Sequence, residues 1–176
     1  MLVRPAMSMD LEPCSKLDSS YATDHVWSMD VREEEGLVTV SFRVVRLPRE
    51  IRVEYPRRGQ DLLTGWERRD GFLVAVHEGH LRGYVALTSQ AEHGIAWVGD
   101  LVVDRASRRQ GIGTALLRAA ARWGHDEKLA RLVIEVPTKN HPAISFCRSR
   151  GLTLCGYNDH FWPSQDIALF FGQSLR

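Results

Sequence analysis

A basic, glycine-containing turn joins a strand pattern to a helix pattern in the middle of the chain, and it constrains the fold more than any other segment. The apolar run Ala96–Val103 precedes the turn Arg108-Arg109-Gln110-Gly111-Ile112-Gly113-Thr114. Backbone N–H groups in such a turn converge on one point, where the positive end of a helix dipole adds to their attraction for anions. The segment therefore predicts a site for a phosphorylated ligand.

The chain around this turn predicts a crossover between two parallel strands. Gly111–His125 carries an amphipathic stripe at helical spacing, made of Ile112, Ala115, Leu116, Ala119, Ala120 and Trp123. A short apolar strand follows at Leu132–Val136. Pro142 then suits the first turn of a second helix that stops near Gly151. A strand, a helix and another strand in this order are typical of a parallel pair.

The remaining strand patterns come in pairs around turns, which predicts hairpins. These pairs are His25–Val31 with Leu37–Val45, Gly71–His77 with His80–Ser89, and Leu152–Phe161 with Ile167–Phe171. Leu11–Tyr21 is weakly helical, and Leu47–Arg69, which contains prolines and glycines, is predicted to be irregular. No linker divides the 176 residues. We therefore expect a single domain, residues 1–176, of α+β class with a mixed, mostly antiparallel twisted sheet flanked by helices.

Composition argues against several classes of protein. A formal net charge of +1 is too small for a general nucleic-acid binder. The three cysteines lack CxxC spacing, which predicts neither a disulfide framework nor a metal site. The N-terminus lacks the apolar core of a signal peptide, and no apolar run approaches the roughly eighteen residues that span a bilayer. We expect a cytoplasmic protein without nucleic-acid or membrane partners.

Charged side chains crowd two neighbouring segments. The arginines are Arg43, Arg46, Arg49, Arg52, Arg57 and Arg58, and the glutamates are Glu33, Glu34 and Glu35. Runs of this kind are usually solvated surface, and both are predicted to be so.

A second motif lies about thirty residues after the phosphate turn. It consists of Asn140, Ala143, Phe146 and Gly151. Together the two motifs resemble the GNAT superfamily of N-acetyltransferases, in which Arg/Gln-x-x-Gly-x-Gly/Ala opens a helix and Asn-x-x-Ala-x-x-Phe-Tyr-x-x-x-Gly-Phe follows. Here Cys147 stands at the tyrosine position and Leu152 at the last phenylalanine. The resemblance covers roughly residues 25–171, and within the superfamily the order of segments is most similar to streptothricin acetyltransferases.

This resemblance implies acetyl transfer from acetyl-CoA to a primary amine through a ternary complex, without a metal. The acceptor would be a small molecule such as a streptothricin-like antibiotic. Two alternatives remain open: a protein lysine or N-terminal acetyltransferase, and a non-catalytic CoA-binding regulatory module. The second alternative arises because Gly99 stands where several relatives have a glutamate, and because Cys147 replaces the tyrosine. The sequence does not determine the oligomeric state, and a homodimer is an open alternative because exposed strand edges in such folds often pair.

The acetyl-CoA-binding core is predicted within residues 71–160. Backbone amides of the phosphate turn would hold the pyrophosphate, and an N–H at the end of the preceding strand would meet the thioester carbonyl. Asn140 would bind the pantetheine arm beside Phe146. The full set is Leu101, Val102, Val103, Arg108, Arg109, Gln110, Gly111, Ile112, Gly113, Thr114, Asn140 and Phe146.

The catalytic residues are less well determined by the resemblance. Asp100 and Glu135 are the candidates for the base that deprotonates the amine. Cys147 and Tyr157 are the candidates for the acid that protonates the leaving thiolate. His141 and His160 are weaker candidates. An acidic cleft of Asp30, Glu33, Glu34, Glu35 and Asp159 would collect a cationic amine, with Trp27, Trp66 and Trp162 around it.

Overall fold

The computed structural model describes residues 1–54, 62, 65–162 and 165–176. Its central sheet contains seven strands: β1 (Leu2–Pro5), β4 (Gly71–His77), β5 (His80–Gln90), β6 (Ile95–Val103), β7 (Arg131–Pro137), β8 (Thr153–Asn158) and β9 (Ala168–Ser174). Their order is β1-β4-β5-β6-β7-β9-β8. Two further strands, β2 (Tyr21–Glu34) and β3 (Leu37–Val53), form a separate two-stranded ribbon.

The described helices are α1 (Leu11–Ser15), α2 (Ile112–Asp126) and α3 (His141–Ser149). Single turns of 3-10 helix occur at Ser8–Asp10, Trp66–Arg68, Ala91–His93 and Arg105–Ser107. The pair β6 and β7 is parallel, because α2 carries the chain across the sheet between them, and every other strand pair is antiparallel. The predicted α+β class and the mixed, mostly antiparallel sheet are confirmed.

Helix α2 buries its predicted stripe against one face of the sheet. Ile112, Leu116 and Ala120 are almost fully buried in a cluster with Val98 and Leu132. Each large aliphatic side chain buried in this way contributes about 1.5–3 kcal/mol. A second cluster, in which Cys14 of α1 meets residues such as Val74 and Tyr84, covers the other face near the β1 edge. The two faces of the sheet are therefore covered by different elements.

Two predicted boundaries are wrong, and one strand was not predicted. Leu47–Val53 is not irregular but continues β3, because Pro48 falls where the β2–β3 register shifts and costs the ribbon no ladder bond there. Helix α1 is much shorter than the weakly helical span, since that span's apolar stripe is incomplete. Strand β1 was not predicted, as four residues carry too little alternation. Arg57 and Arg58 lie outside the described residues.

Candidate active site

Strands β6 and β7 separate halfway along their length. Their parallel pairing begins at Ile95 with Arg131 and ends at Val98 with Ile134. The next residue, Gly99, is a bulge, because the β5–β6 register shifts there by one residue. A bulge increases the bend and twist of its strand. The carboxyl half of β6 therefore leaves β7, and a wedge-shaped opening forms between them.

Backbone amides of β6 line this opening. Asp104 donates its N–H to the Arg82 carbonyl at 2.9 Å, which places Val102 opposite Tyr84 in the hydrogen-bonded register with β5. In an antiparallel pair, the intervening residues point their N–H groups the other way. Leu101 and Val103 therefore direct their amides toward the opening, whereas the amide of Val102 faces β5.

The phosphate turn lies at the wide end of the opening. Arg109 has φ +66° and Gly111 has φ +83°, and successive backbone N–H groups in a turn of this kind form a concave nest that favours anions. None of the backbone N–H groups from Arg109 to Thr114 has a hydrogen-bond acceptor in the part of the chain that the structure describes. Gly111 also leaves open space where a Cβ would lie. The turn is built to receive an anion.

The two arginines of this turn have different surroundings. Arg108 is half-buried and donates from Nε to the Val103 carbonyl at 3.1 Å and from Nη2 to the Asp18 carbonyl at 3.4 Å. Burial lowers the pKa of this guanidinium below its ordinary value. Arg109 is exposed. Arg108 therefore braces the end of β6, and Arg109 is the arginine that faces solvent.

Helix α3 forms the second wall. The Asn140 side chain caps it by accepting the Ala143 N–H at Oδ1, 3.1 Å away. That contact leaves the amide Nδ2 as a donor. A Cβ built on Gly113 would lie 3.5 Å from the Phe146 ring and 3.6 Å from Val103. Phe146 thus closes the space between α3 and the start of α2, and the sequence-predicted cofactor residues are brought together.

Asp100 lies at the opening on the sheet face opposite α2. The bulge at Gly99 places Asp100 and Val102 on the face where Val102 packs with Tyr84 and Ala86. The Asp100 side chain is 3% exposed and lies 3.4 Å from Nη2 of Arg69. Nη1 of Arg69 would lie 2.9 Å from a Cβ at Gly99. The guanidinium therefore occupies the space that a larger residue at position 99 would need.

Glu135 lies on the same face, one residue beyond the last position of β7 that pairs with β6. It is 8% exposed, and it accepts a hydrogen bond from Nε1 of Trp97 at 2.7 Å. Trp97 contacts Phe170 edge to face with ring centroids 5.1 Å apart, and Phe161 extends the group. Two buried carboxylates, one of them held by an aromatic group, thus lie on one face of the sheet just beyond the point where β6 and β7 separate.

The two acid candidates lie elsewhere. Cys147 is 1% exposed inside the α2 core, and burial raises the pKa of its thiol to about 12. Tyr157 is on β8, the outer edge strand, and its ring contacts Phe42 of the ribbon with centroids 5.4 Å apart. Two strand spacings separate β8 from β7, which amounts to about 10 Å. Their catalytic roles stay predictions, with less geometric support than those of the carboxylates.

Most of the predicted acidic cleft is not at this opening. Glu34 lies seven residues beyond Trp27 along β2, a distance of about 23 Å in an extended strand. Asp30, Glu33 and Glu35 belong to the same exposed end of the ribbon. His160 and Asp159 are exposed as well. Trp162 is buried against Phe161.

Sequence reasoning missed two residues that hold the carboxylates, Arg69 and Trp97. Trp97 could have been found, because it lies on the face of β6 opposite the core residues Ala96 and Val98. Sequence reasoning named Trp27 and His141 for other roles and missed that they join the ribbon to α3: Trp27 donates its backbone N–H to the Thr138 carbonyl at 2.9 Å and its Nε1 to Nδ1 of His141 at 3.2 Å. The His25 ring lies 5.3 Å from that of His141.

This contact makes ribbon docking sensitive to pH. Burial, and then the neighbouring His25, lowers the pKa of His141 below its ordinary value of 6.5, with Asp24 opposing and Arg148 reinforcing the shift. The neutral ring is the form that accepts from Trp27. Its stabilisation is therefore complete above pH 6.5 and is lost as the pH falls through the lowered pKa. We expect the melting temperature to fall on acidification, and to fall less in His141→Asn, whose amide oxygen accepts without titrating. Melting temperatures from thermal denaturation scans, plotted against pH, would contradict this if they had the same slope in the two proteins.

A shallow cavity of about 290 Å³ adjoins the phosphate turn between α2 and α3. It is lined by Thr114, Leu117, Arg118, Ala121, Ser149, Arg150 and Gln173. Both arginines are exposed and cationic. No group of three or more histidine, cysteine or carboxylate side chains suited to a metal ion occurs within the described ranges. None of the helices described is long and apolar enough to cross a membrane.

Comparison with known proteins agrees with this geometry. Residues 42–152 match the Acetyltransferase (GNAT) family. The streptothricin acetyltransferase of Streptomyces lavendulae is 29% identical over 160 residues, which cover 87% of this chain and 82% of that protein. The crystal structure of nourseothricin acetyltransferase superimposes with a TM-score of 0.84 at 25% identity, covering 99% of this chain and 98% of that one. The structure of a Bacillus anthracis protein in complex with acetyl coenzyme A superimposes with a TM-score of 0.77 at 16% identity, covering 98% of this chain and 96% of that one.

The amide nest, the divergent parallel strands and the cap on α3 define an acetyltransferase of the GNAT fold. The chain belongs to the Acetyltransferase (GNAT) family, and it is an acetyl-CoA-dependent N-acetyltransferase.

Proposed function

We propose that this enzyme acetylates a primary amine of a small polycationic molecule of the streptothricin class. The observation that carries the proposal is the pair of buried carboxylates, Asp100 and Glu135, on one face of the mouth between β6 and β7. Carboxylates shielded from water attract a cationic amine more strongly than exposed ones. The names of the Streptomyces lavendulae relative and of nourseothricin acetyltransferase support the same class of acceptor.

The residues at the opening fit acetyl-CoA as the donor. The unpaired amides from Arg109 to Thr114 suit a pyrophosphate, with Arg109 beside them. Nδ2 of Asn140 suits a carbonyl of the pantetheine arm, and the cationic cavity of Arg118 and Arg150 suits the phosphorylated adenosine end. We propose that residues 71–160 of the single domain contain this site.

Few groups of the chain take part in the proposed reaction. Acetyl-CoA supplies an acetyl group as a thioester, which only a neutral amine attacks. Glu135 takes the proton of the ammonium, while Trp97 holds the carboxylate in place through its N–H. The amides of Leu101 and Val103 donate to the carbonyl oxygen as charge develops there. When the C–S bond breaks, the nitrogen gives up its second proton to water, and the leaving thiolate, whose conjugate acid has a pKa of about 8.5, takes a proton from water, so no side-chain acid is required.

The proposed setting is the cytoplasm. Cys14, Cys147 and Cys155 are all free thiols, which suits a reducing compartment. The partners that we propose are acetyl-CoA, the small amine, and a second copy of the chain, without nucleic acid or membrane.

The decisive test is release of free CoA thiol with a panel of amines. We expect turnover with streptothricin and with small polyamines, and none with lysine-containing or N-terminally free peptides. Turnover with peptides alone would favour a protein acetyltransferase and contradict the proposal. No thiol release with any amine, in protein that binds acetyl-CoA by calorimetry, would indicate a non-catalytic binding module.

A further inference from the structure

The distal part of the β2–β3 ribbon stands away from the rest of the protein. The ribbon is fastened at its base, where Trp27 contacts Thr138 and His141, and where Phe42 contacts Tyr157. From position 30 to position 41, the described residues make hydrogen bonds, ion pairs and ring contacts only within the ribbon. A two-stranded ribbon in water is marginally stable alone.

This distal part has one apolar face and one polar face. Directly paired residues share a face, so Met29 with Phe42, Val31 with Val40, and Glu33 with Val38 lie on the side that carries Trp27. Val31 is 44% exposed and Val38 is 64% exposed. The opposite side is mainly polar, with Leu37 beside the turn as an apolar exception; it carries Ser28, Asp30, Arg32, Glu34, Leu37, Thr39, Ser41 and Arg43. An alternation of mainly apolar and mainly polar positions is typical of a strand pair with one buried face.

The apolar face continues onto the edge of the main sheet. Tyr157 and Leu154 of β8 pair with Leu169 and Phe171, so they lie on the face that is covered by α2 and α3. Both are unusually exposed for their type, at 39% and 43%, and Val44, on the ribbon face that carries Phe42, is 45% exposed. The uncovered surface therefore runs from the ribbon tip, across its base, to the outer edge strand.

Charge along the ribbon is polarised. Its tip carries Glu33, Glu34 and Glu35, and the basal half of β3 carries Arg43, Arg46 and Arg49. None of these six side chains forms an ion pair with another residue in the described ranges. A two-fold axis across the ribbon would bring the acidic tip of one copy onto the basic base of another.

We propose that the ribbon is a dimerisation arm whose partner is a second copy of this chain. The two arms lie antiparallel, so Val31 and Val38 cover the partner's Val44 and the partner's Tyr157. Glu33, which lies on the apolar face, meets the partner's Arg46 on the same face. The self-complementary charge selects a second copy over an unrelated protein, and it sets the antiparallel orientation.

A matched pair of variants tests the apolar part of this interface. Val38→Glu places a charge on the proposed interface, and its neighbour Thr39→Glu places the same charge on the opposite face. By sedimentation velocity at micromolar concentration, we expect dimers for the natural protein and for Thr39→Glu, and monomers for Val38→Glu. A monomeric natural protein, or equal dissociation of the two variants, would overturn the proposal. Circular dichroism melts check that both variants fold.

A charge exchange tests the orientation. Glu33→Arg and Arg46→Glu are each expected to weaken dimerisation about tenfold, since reversal turns an attraction into a repulsion. The double variant restores the opposite charges, and we expect its dissociation constant to return close to that of the natural protein. Additive weakening in the double variant would exclude the antiparallel arrangement. CoA-thiol release by the variants is a separate measurement, so loss of the dimer and failure of the proposed acceptor are distinguishable.

Discussion

Gly111→Val is expected to raise the dissociation constant for acetyl-CoA by about 100-fold, equivalent to about 3 kcal/mol. Gly111 has φ +83°, a conformation that a β-branched residue avoids, and its open side faces the space above the amide nest. Valine would turn the amides of Ile112 and Gly113 away from the pyrophosphate and fill that space. Isothermal titration calorimetry with acetyl-CoA measures the effect directly.

Gly79→Val is the matched control. Gly79 has φ +77° in the β4–β5 turn, and a Cβ there also meets nothing within 4 Å. The two variants should therefore lose similar stability through backbone strain, while only Gly111→Val loses affinity. Unchanged affinity in Gly111→Val, or equal loss in both variants, would contradict the placement of the pyrophosphate.

Glu135→Gln is expected to lower kcat by about 10²-fold to 10³-fold, the usual contribution of a general base. Glutamine keeps the volume and still accepts from Trp97, so the fold and the acetyl-CoA affinity should not change. Steady-state thiol release with the accepted amine gives kcat, and calorimetry gives the affinity.

Asp100→Asn separates the two buried carboxylates. Its ion pair with Arg69 indicates a structural and attractive role, so we expect a lower melting temperature, a higher KM for the amine and a smaller fall in kcat than in Glu135→Gln. The reverse ranking of kcat would transfer the role of base to Asp100. Equal kcat values in both variants and the natural enzyme would exclude a carboxylate base.

Much of the fold could be predicted because its signals are local. The stripe of α2, the cap at Asn140 and the prolines and glycines at element ends each act over a few residues. Those signals also predicted the α+β class and the parallel crossover. The extent of β3 could not be predicted in this way. Pro48 is tolerated inside the strand because it lies where the register with β2 shifts, and that register is a property of the pairing between the two strands.

The donor half of the site was more predictable than the acceptor half. The phosphate turn is one contiguous segment, and its function depends on backbone amides that the sequence places together. The carboxylates lie on two strands separated by the whole of α2. Whether Asp100 faces the opening depended on the bulge at Gly99, which reverses the alternation of the strand.

By itself, the sequence determined the turn, the helix that follows it and therefore the phosphorylated donor, because the arginines and glycines of the turn and the helix pattern are contiguous in the chain. Only the tertiary structure decided where β6 leaves β7, that Glu135 accepts from Trp97, and that Arg69 occupies the space above Gly99. It also decided that the charged ribbon projects from the sheet with one apolar face uncovered. These features depend on register and packing between segments distant in the chain, which local propensity does not encode.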